Sequence, residues 1–392
     1  MFSSLSKFKR QIKNRKKTRK WWLFHATDFQ LLMYPCFTFF RILAIFPYKM
    51  SASSFETSKP RYFLSTIITC IFGFLPLIMI IDASRWYGNL NDRRNIEFIC
   101  LTILSNIIIV MTFVLNGPRM RLLETIRKIS SKLPSEMYRK QSVFIHSKDI
   151  FGFFYLLIYA MYSCYYTQIN IVFDVCFFYN TVLVYQMDML YINCVCVLKV
   201  CFKRINDDLA NLLISNKSHV IKWIDNEHIN LLLMELKALK KQHLMVSDTV
   251  KKLNIIFSPH LLATTAYNFI FITFEMYFKF VYLHNELSSW TNQVHRISIP
   301  YIACLTVKIA LTAWACETGK NQAKEISTTV HDVLNSTNNE KIKNELRVFS
   351  LQILHSDNTF CAKGLTVDAT LLTDMMGTVT TYILILIQFL NT

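Results

Sequence analysis

Apolar residues in this chain are grouped in long continuous runs, separated by polar and mostly basic segments. Each run approaches about 20 residues, the length that an α-helix needs to cross a hydrocarbon core about 30 Å thick. In lipid only helices and closed barrels satisfy all their backbone hydrogen bonds, and these runs lack the alternation of barrel strands. The pattern therefore predicts an all-α membrane protein with seven spans, at 61–82, 97–116, 151–171, 174–200, 262–284, 298–316 and 367–390.

A shorter apolar stretch, Phe29–Phe46, precedes the first predicted span. It contains Pro35 and Arg41, and it is too short for a comfortable crossing. We expect it to form an interfacial or partly buried helix.

Basic residues are concentrated on one side of the predicted membrane. Residues 1–20, 117–150, 202–258 and 317–366 hold 32 of the 43 Lys and Arg residues. Cytosolic loops carry this excess in membrane proteins, so we predict a cytosolic amino terminus and, after seven crossings, an extracellular carboxyl terminus. The same distribution explains the net charge of +17 without a nucleic-acid partner, and we expect none.

These elements divide the chain into six segments, with the long cytosolic helices forming an anchor domain. The expected segments are the basic amino terminus with the interfacial helix (1–60), spans one to four (61–201), a cytosolic helical anchor segment (202–258), spans five and six (259–316), a second anchor segment (317–363) and the last span (364–392).

The first anchor segment carries a heptad seam, in which apolar residues recur at alternating spacings of four and three. The seam consists of Leu232, Leu236, Leu239, His243, Val246, Val250, Leu253 and Phe257, and Ile342, Leu346, Phe349 and Ile353 repeat the pattern in the second segment. Such a seam packs either against another subunit or against its own subunit.

One stripe of the last predicted span is mostly polar. Asp374, Thr381 and Gln388 are each seven residues apart, and Thr378 and Ile385 occupy the intermediate positions. Polar side chains inside a span normally face protein or water, because lipid cannot solvate them. The stripe therefore either lines a water-accessible pore shared by several copies, with Ile385 as a hydrophobic constriction, or holds helices together inside one subunit.

Aromatic side chains with a few polar groups mark the other spans as a candidate small-molecule pocket. The alternative is an aromatic core with an interfacial belt. The candidate ligand-binding residues are Tyr159, Tyr162, Tyr166, Tyr185, Asp188, Phe274, Trp290, Tyr301 and Trp314. Asp188 has no local partner of opposite charge, and Lys308 is its best candidate.

No catalytic signature is visible in the sequence. Charged residues make up only 18% of the chain, against roughly 25% in soluble domains, and its 7 glycines leave little room for phosphate-binding loops. We therefore expect no enzyme activity, no cofactor and no metal site.

The carboxyl end resembles a known family. Thr381-Tyr-Ile-Leu-Ile-Leu-Ile-Gln-Phe389 matches the TYhhhhhQF signature of insect gustatory receptors, in which h is apolar, at every defined position. Phe349–His355 and Ala362–Leu365 are also similar to the approach to that helix in the family. Chain length, seven spans and an inside amino terminus agree with the resemblance.

The resemblance implies a taste receptor of the plasma membrane, related to insect odorant receptors. Such receptors are ligand-gated, non-selective cation channels that open when a small-molecule tastant binds, here one expected to be bitter or otherwise non-sugar. They assemble as homotetramers, or as heteromers with related receptors, in contact with membrane lipids. The implied pore and gate residues are Asp374, Thr378, Thr381, Ile385, Gln388 and Phe389. A sugar-sensing member of the family and a seven-helix G-protein-coupled chemoreceptor are the alternatives.

Overall fold

The fold was analysed in a computed structural model, which describes residues 24–50, 55–81, 92–167, 171–218, 226–285, 289–362, 365–367 and 369–388. These residues form eleven helices: α1 (Phe29–Leu32), α2 (Tyr34–Ile42), α3 (Lys59–Ile81), α4 (Asp92–Val114), α5 (Asn116–Ser130), α6 (Ser135–Thr167), α7 (Ile171–Ser218), α8 (Asn226–Asn285), α9 (Ser289–Ser336), α10 (Glu340–Leu354) and α11 (Ala369–Gln388). Two short antiparallel hairpins complete them, β1 (Tyr48–Met50) with β2 (Phe55–Thr57) and β3 (Cys361–Ala362) with β4 (Leu365–Thr366).

Six of these helices contain segments long and apolar enough to cross a membrane. The segments are Lys59–Ile78, Ile96–Val114, Ser135–Tyr166, Asp174–Leu212, Ile229–Val281 and Ser298–Ser336. A shorter apolar stretch, Thr370–Ile385, lies in α11, whose 20 residues reach about 30 Å at 1.5 Å per residue. Every predicted span thus coincides with an apolar helix.

The predicted anchor segments continue the spanning helices. α7, α8 and α9 are 48, 60 and 48 residues long, roughly two to three times the length that a bilayer requires. The expected segment boundaries at 201, 258 and 316 fall inside these helices. A movement of a spanning helix is therefore carried directly into its anchor segment.

The heptad seam is buried within its own chain. Val246, Val250 and Leu253 are fully buried in α8, and the matching residues Leu346 and Phe349 of α10 are buried too. His243 of the seam packs its ring against Phe349, with the ring centroids 5.5 Å apart. Of the two interpretations of the seam, packing between subunits is therefore wrong for this set of side chains, because the chain covers them with α10 itself.

The stretch before the first span forms α1 and α2, of 4 and 9 residues, joined to α3 by the β1–β2 hairpin. Asp28 caps α1 by accepting a hydrogen bond from the Leu31 amide at 2.9 Å. Cys36, Phe37 and Phe40 of α2 are buried, whereas Ile42 is 64% exposed. This stretch is partly buried, as expected, and its helices are too short to span a bilayer.

Candidate functional site

The last helix packs against its own chain along one side. Leu371 and Met375 are buried where α11 meets α8 and α9. Tyr382 makes an edge-to-face contact with Phe269 of α8, with the centroids 5.8 Å apart. This side holds α11 against α8 and α9, which carry four of the nine candidate ligand residues.

The polar stripe of α11 lies on another side of the helix and is exposed. Asp374, Thr378, Thr381, Ile385 and Gln388 all lie at the surface of the chain. The hydroxyl groups of Thr378 and Thr381 donate to backbone carbonyls one turn earlier, at 2.7 and 2.9 Å. These hydroxyl groups therefore bond within α11 and do not join it to another helix. Phe389 lies outside the described residues.

Two of the candidate ligand residues meet in an aromatic cluster, which consists of Tyr159, Phe177, Phe271 and Tyr301. Tyr159 and Tyr301 are stacked, with centroids 5.3 Å apart and planes at 13°. Phe271 and Phe177 approach Tyr301 edge-on at 4.8 and 6.2 Å. The cluster joins α6, α7, α8 and α9, so it can respond to any relative movement of four helices.

The other candidates are scattered around this cluster. Tyr162 and Tyr166 are partly exposed and contact each other, at 4.7 Å between centroids, and Phe274 packs against Phe278. The side chain of Trp290 lies outside the described residues. Trp314 packs against Phe144 and beneath Lys199, and it lies about 20 Å along the helix from Tyr301. Sequence reasoning grouped these residues by type, but the helices separate them.

A buried charged junction joins α7, α8 and α9, and its Lys308 stands about two turns along α9 from Tyr301. Lys308 Nζ lies 2.9 Å from Asp188 Oδ2, and His260 Nε2 lies 3.0 Å from Asp188 Oδ1. Lys308 also donates to Asn268 Oδ1 at 3.2 Å. The predicted partnership of Asp188 with Lys308 is confirmed. We call Asp188, His260, Asn268 and Lys308 the charged junction.

The profile of the 7tm Chemosensory receptor family matches residues 33–390, from the beginning of α2 to the carboxyl end. The chain belongs to this family. The expected resemblance to insect gustatory receptors is confirmed at this level.

Two gustatory receptors of Drosophila melanogaster are similar to this chemosensory receptor over part of their length. Putative gustatory receptor 28b is 26% identical over 152 residues, which is 38% of this chain and 32% of that protein. Gustatory receptor 23a is 24% identical over 155 residues, 39% of this chain and 41% of that protein. The matched segment thus spans less than half of each relative.

Solved structures extend the similarity to the whole fold. The insect olfactory receptor OR5 from Machilis hrabei, in complex with eugenol, matches 92% of this chain and 98% of its own at a TM-score of 0.69 and 12% identity. A second structure of the same olfactory receptor matches 91% of this chain and 97% of its own at a TM-score of 0.67 and 14% identity. At these identities the match concerns the fold alone, and it confirms the all-α membrane architecture.

Sequence reasoning missed a second buried polar group of this chemosensory receptor. Asp149 is fully buried, accepts a hydrogen bond from Asn193 Nδ2 at 2.8 Å and pairs with Lys148. Asp149 stands just before a predicted span, where a charged residue is ordinarily assigned to a loop. His260 was missed because it lies at the edge of a span, and no local pattern links it to Asp188.

Gly152 lets α6 approach Tyr185, one of the candidate ligand residues. A Cβ atom at Gly152 would overlap the Tyr185 ring and lie 2.8 Å from its Cε1. We expect Gly152→Ala to destabilise the receptor by about 1–3 kcal/mol through overpacking. The measurement is the melting temperature of the purified protein. Gly117→Ala is the matched control, because nothing lies within 4 Å of its added methyl group. Equal melting temperatures of the two variants would contradict this packing.

In the part of the chain that the structure describes, no group of three or more His, Cys, Asp or Glu side chains is arranged to hold a metal ion. The chemistry at the candidate site is that of aromatic stacking, hydrogen bonding and the buried ion pair of Asp188 with Lys308.

Proposed function

We propose that this chain is a subunit of a tetrameric, ligand-gated, non-selective cation channel of the plasma membrane, opened by a small-molecule tastant. The observation that carries the proposal is the exposed polar stripe of α11. A spanning helix cannot present the Asp374 carboxylate to hydrocarbon without a large cost, so the stripe requires water or another copy. Four copies around an axis would supply both.

In this proposal the stripe lines the conduit. Asp374 attracts cations, as acidic rings do in cation channels, and Ile385 forms a constriction that closes by dewetting. Gln388 and Phe389 stand at the outer end, where a small rotation of the helix exchanges one for the other. The anchor segments hold the four subunits together.

The ligand is proposed to be a small aromatic or polar compound of the non-sugar class. The complex of the structurally similar OR5 with eugenol supports a small organic ligand. The aromatic cluster offers stacking surfaces for such a molecule, with Tyr159 and Tyr301 as its core. A ligand shifts a conformational equilibrium only by its difference in affinity for the two states. The helices α8 and α9 contact both the cluster and α11, so they are the proposed route from ligand to gate.

The proposal is tested by expressing only this chain in a heterologous cell and screening tastants for evoked inward current and calcium entry. A ligand-evoked, cation-carried current is the expected result. A response that requires a G protein and persists without any current carried by this chain would overturn the proposal.

The proposed orientation has its own test. An epitope at the amino terminus is expected to become accessible to antibody only after permeabilisation, because residues 1–20 carry nine basic residues. An epitope at the carboxyl terminus is expected to be accessible on intact cells. Surface labelling of the amino terminus on intact cells would favour a G-protein-coupled receptor instead.

A further inference from the structure

Basic side chains collect where the first two spans reach one membrane surface. The start of α3 and the end of α4 lie on the same side of the membrane whatever its orientation, because one crossing goes out and the next returns. Arg61 stands in the first turn of α3, and Arg119 and Arg121 follow the end of α4 at Val114. The partly buried α2 adds Arg41. We call Arg41, Arg61, Arg119 and Arg121 the arginine cluster.

Contacts around the segment 40–48 bring the arginine cluster together. Arg61 Nη1 donates to the Tyr48 carbonyl at 2.9 Å, and Asn116 Nδ2 donates to the Ile45 carbonyl at 3.1 Å. The pKa of the Arg41 guanidinium is lowered first by burial and then by the charge of Arg61. Burial raises the pKa of the Tyr48 hydroxyl, and the charge of Arg121 opposes that rise. These positive charges therefore influence one another across a short loop.

Arg119 is the most deeply buried member of the arginine cluster, with only 3% of its surface exposed. Its Nη1 donates to the Thr112 carbonyl at 3.1 Å, and its guanidinium lies 5.4 Å from the centroid of the Phe257 ring. Its Nε and Nη2 find no hydrogen-bond partner among the described residues. Burial lowers the pKa of Arg119 to about 9, so the group stays charged at pH 7. A buried, incompletely bonded cation is costly without an anion.

No carboxylate among the described residues neutralises this charge, since none of the four arginines forms an ion pair there. A narrow cavity of about 10 Å³, lined mainly by apolar side chains such as Phe40 and Ile45, lies beside Arg119 between α5 and the loop after α2. Next to the arginine cluster, Ile42 and Phe63 are 64% and 69% exposed. The surface thus combines unneutralised guanidinium groups with apolar side chains at the membrane boundary.

We propose that the accessible members of the arginine cluster, Arg41, Arg61 and Arg121, bind the phosphate-bearing headgroup of an acidic phospholipid in the cytosolic leaflet, and that this anion also offsets the buried charge of Arg119. Guanidinium groups bind phosphate oxygens through paired hydrogen bonds, and exposed Ile42 and Phe63 lie where acyl chains would run. Basic pockets between helices on the cytosolic side suit phosphoinositide headgroups in particular. A lipid bound here joins α2, α3 and α5, which fixes the amino-terminal end of the bundle at the membrane surface.

The test uses the full-length chain purified in neutral detergent. It is titrated with dioctanoyl phosphatidylinositol bisphosphate, with dioctanoyl phosphatidylcholine and with inositol trisphosphate, and binding is measured by native mass spectrometry and thermophoresis. The bisphosphate lipid is expected to bind, and the other two to bind much more weakly. The triple variant Arg41→Gln/Arg61→Gln/Arg121→Gln is expected to bind the lipid about 100-fold more weakly.

A second triple variant, Lys132→Gln/Arg139→Gln/Lys140→Gln, is the matched control, since it removes the same charge from exposed side chains beyond α5. Its affinity is expected to equal that of the wild type. Arg119→Lys tests the buried member alone, because it keeps the charge and loses the paired donors. If the two triple variants weakened lipid binding equally, the effect would come from net charge alone, and the proposed site would be wrong. If inositol trisphosphate bound as tightly as the bisphosphate lipid, the proposal that the site binds a lipid would be wrong.

Discussion

Replacing Asp188 with alanine is expected to destabilise the folded chain by about 3–5 kcal/mol, the largest effect that we expect for any single residue. Asp188 and Lys308 are each only 3% exposed, and their charged atoms lie 2.9 Å apart. Removal of the carboxylate leaves Lys308 as a buried cation that still donates to Asn268 Oδ1 but has lost its counter-charge. It also removes the partner of His260 Nε2. The measurement is the melting temperature and the yield of monodisperse protein in detergent.

Two further variants distinguish loss of the ion pair from a general sensitivity of the chain to substitution. The double variant Asp188→Leu/Lys308→Met is expected to recover most of the lost stability, because it leaves no uncompensated charge. Arg347→Ala is the matched control on an exposed pair, in which Arg347 Nη1 and Glu340 Oε1 are 3.0 Å apart and both side chains are more than half exposed. It is expected to cost about 0–1 kcal/mol. A double variant as unstable as Asp188→Ala would contradict this account of the junction.

Labelling a cysteine at Thr381 is expected to abolish most of the ligand-evoked current. In the Thr381→Cys variant, a cationic methanethiosulfonate reagent would place a positive charge at each copy of the polar stripe. Two unit charges a few ångströms apart in a partly hydrated environment repel by several kcal/mol, so we expect at least about a tenfold fall in cation current.

Thr380→Cys is the matched control for this labelling. Both threonines are exposed and donate to the backbone of their own helix, but neighbouring residues of an α-helix point about 100° apart. Thr380 therefore lies off the stripe, and its modification is expected to leave the current nearly unchanged. Equal block at both positions, or block at Thr380 alone, would place the conduit elsewhere.

The charged junction gives a physical reason for the proposed route from ligand to gate. It ties α7, α8 and α9 at one level, below the aromatic cluster that joins the same helices and α6. Among the described residues, α11 packs mainly on α8 and α9. A ligand that separates rings in the aromatic cluster would tilt these helices about the junction, and α11 would follow.

The sequence by itself determined the helices, the side of α11 that carries the polar stripe and the pairing of Asp188 with Lys308. Each follows either from the local periodicity of apolar and polar residues or from the large free-energy cost of an unpaired charge inside a span. An apolar run long enough to cross a bilayer has few possible structures other than a helix. A charged side chain inside a span must be paired with an opposite charge. The match of Thr381–Phe389 to a family signature added the expectation of a receptor channel.

Only the tertiary structure decided which side chains meet. It placed the heptad seam against α10 of the same chain, left the polar stripe uncovered, and moved Trp314 away from the aromatic cluster. It also revealed His260 at the ion pair and the incompletely bonded guanidinium of Arg119. These contacts join residues that are tens to hundreds of positions apart in the sequence. They depend on the crossing angles and rotations of the long helices, which local periodicity does not determine.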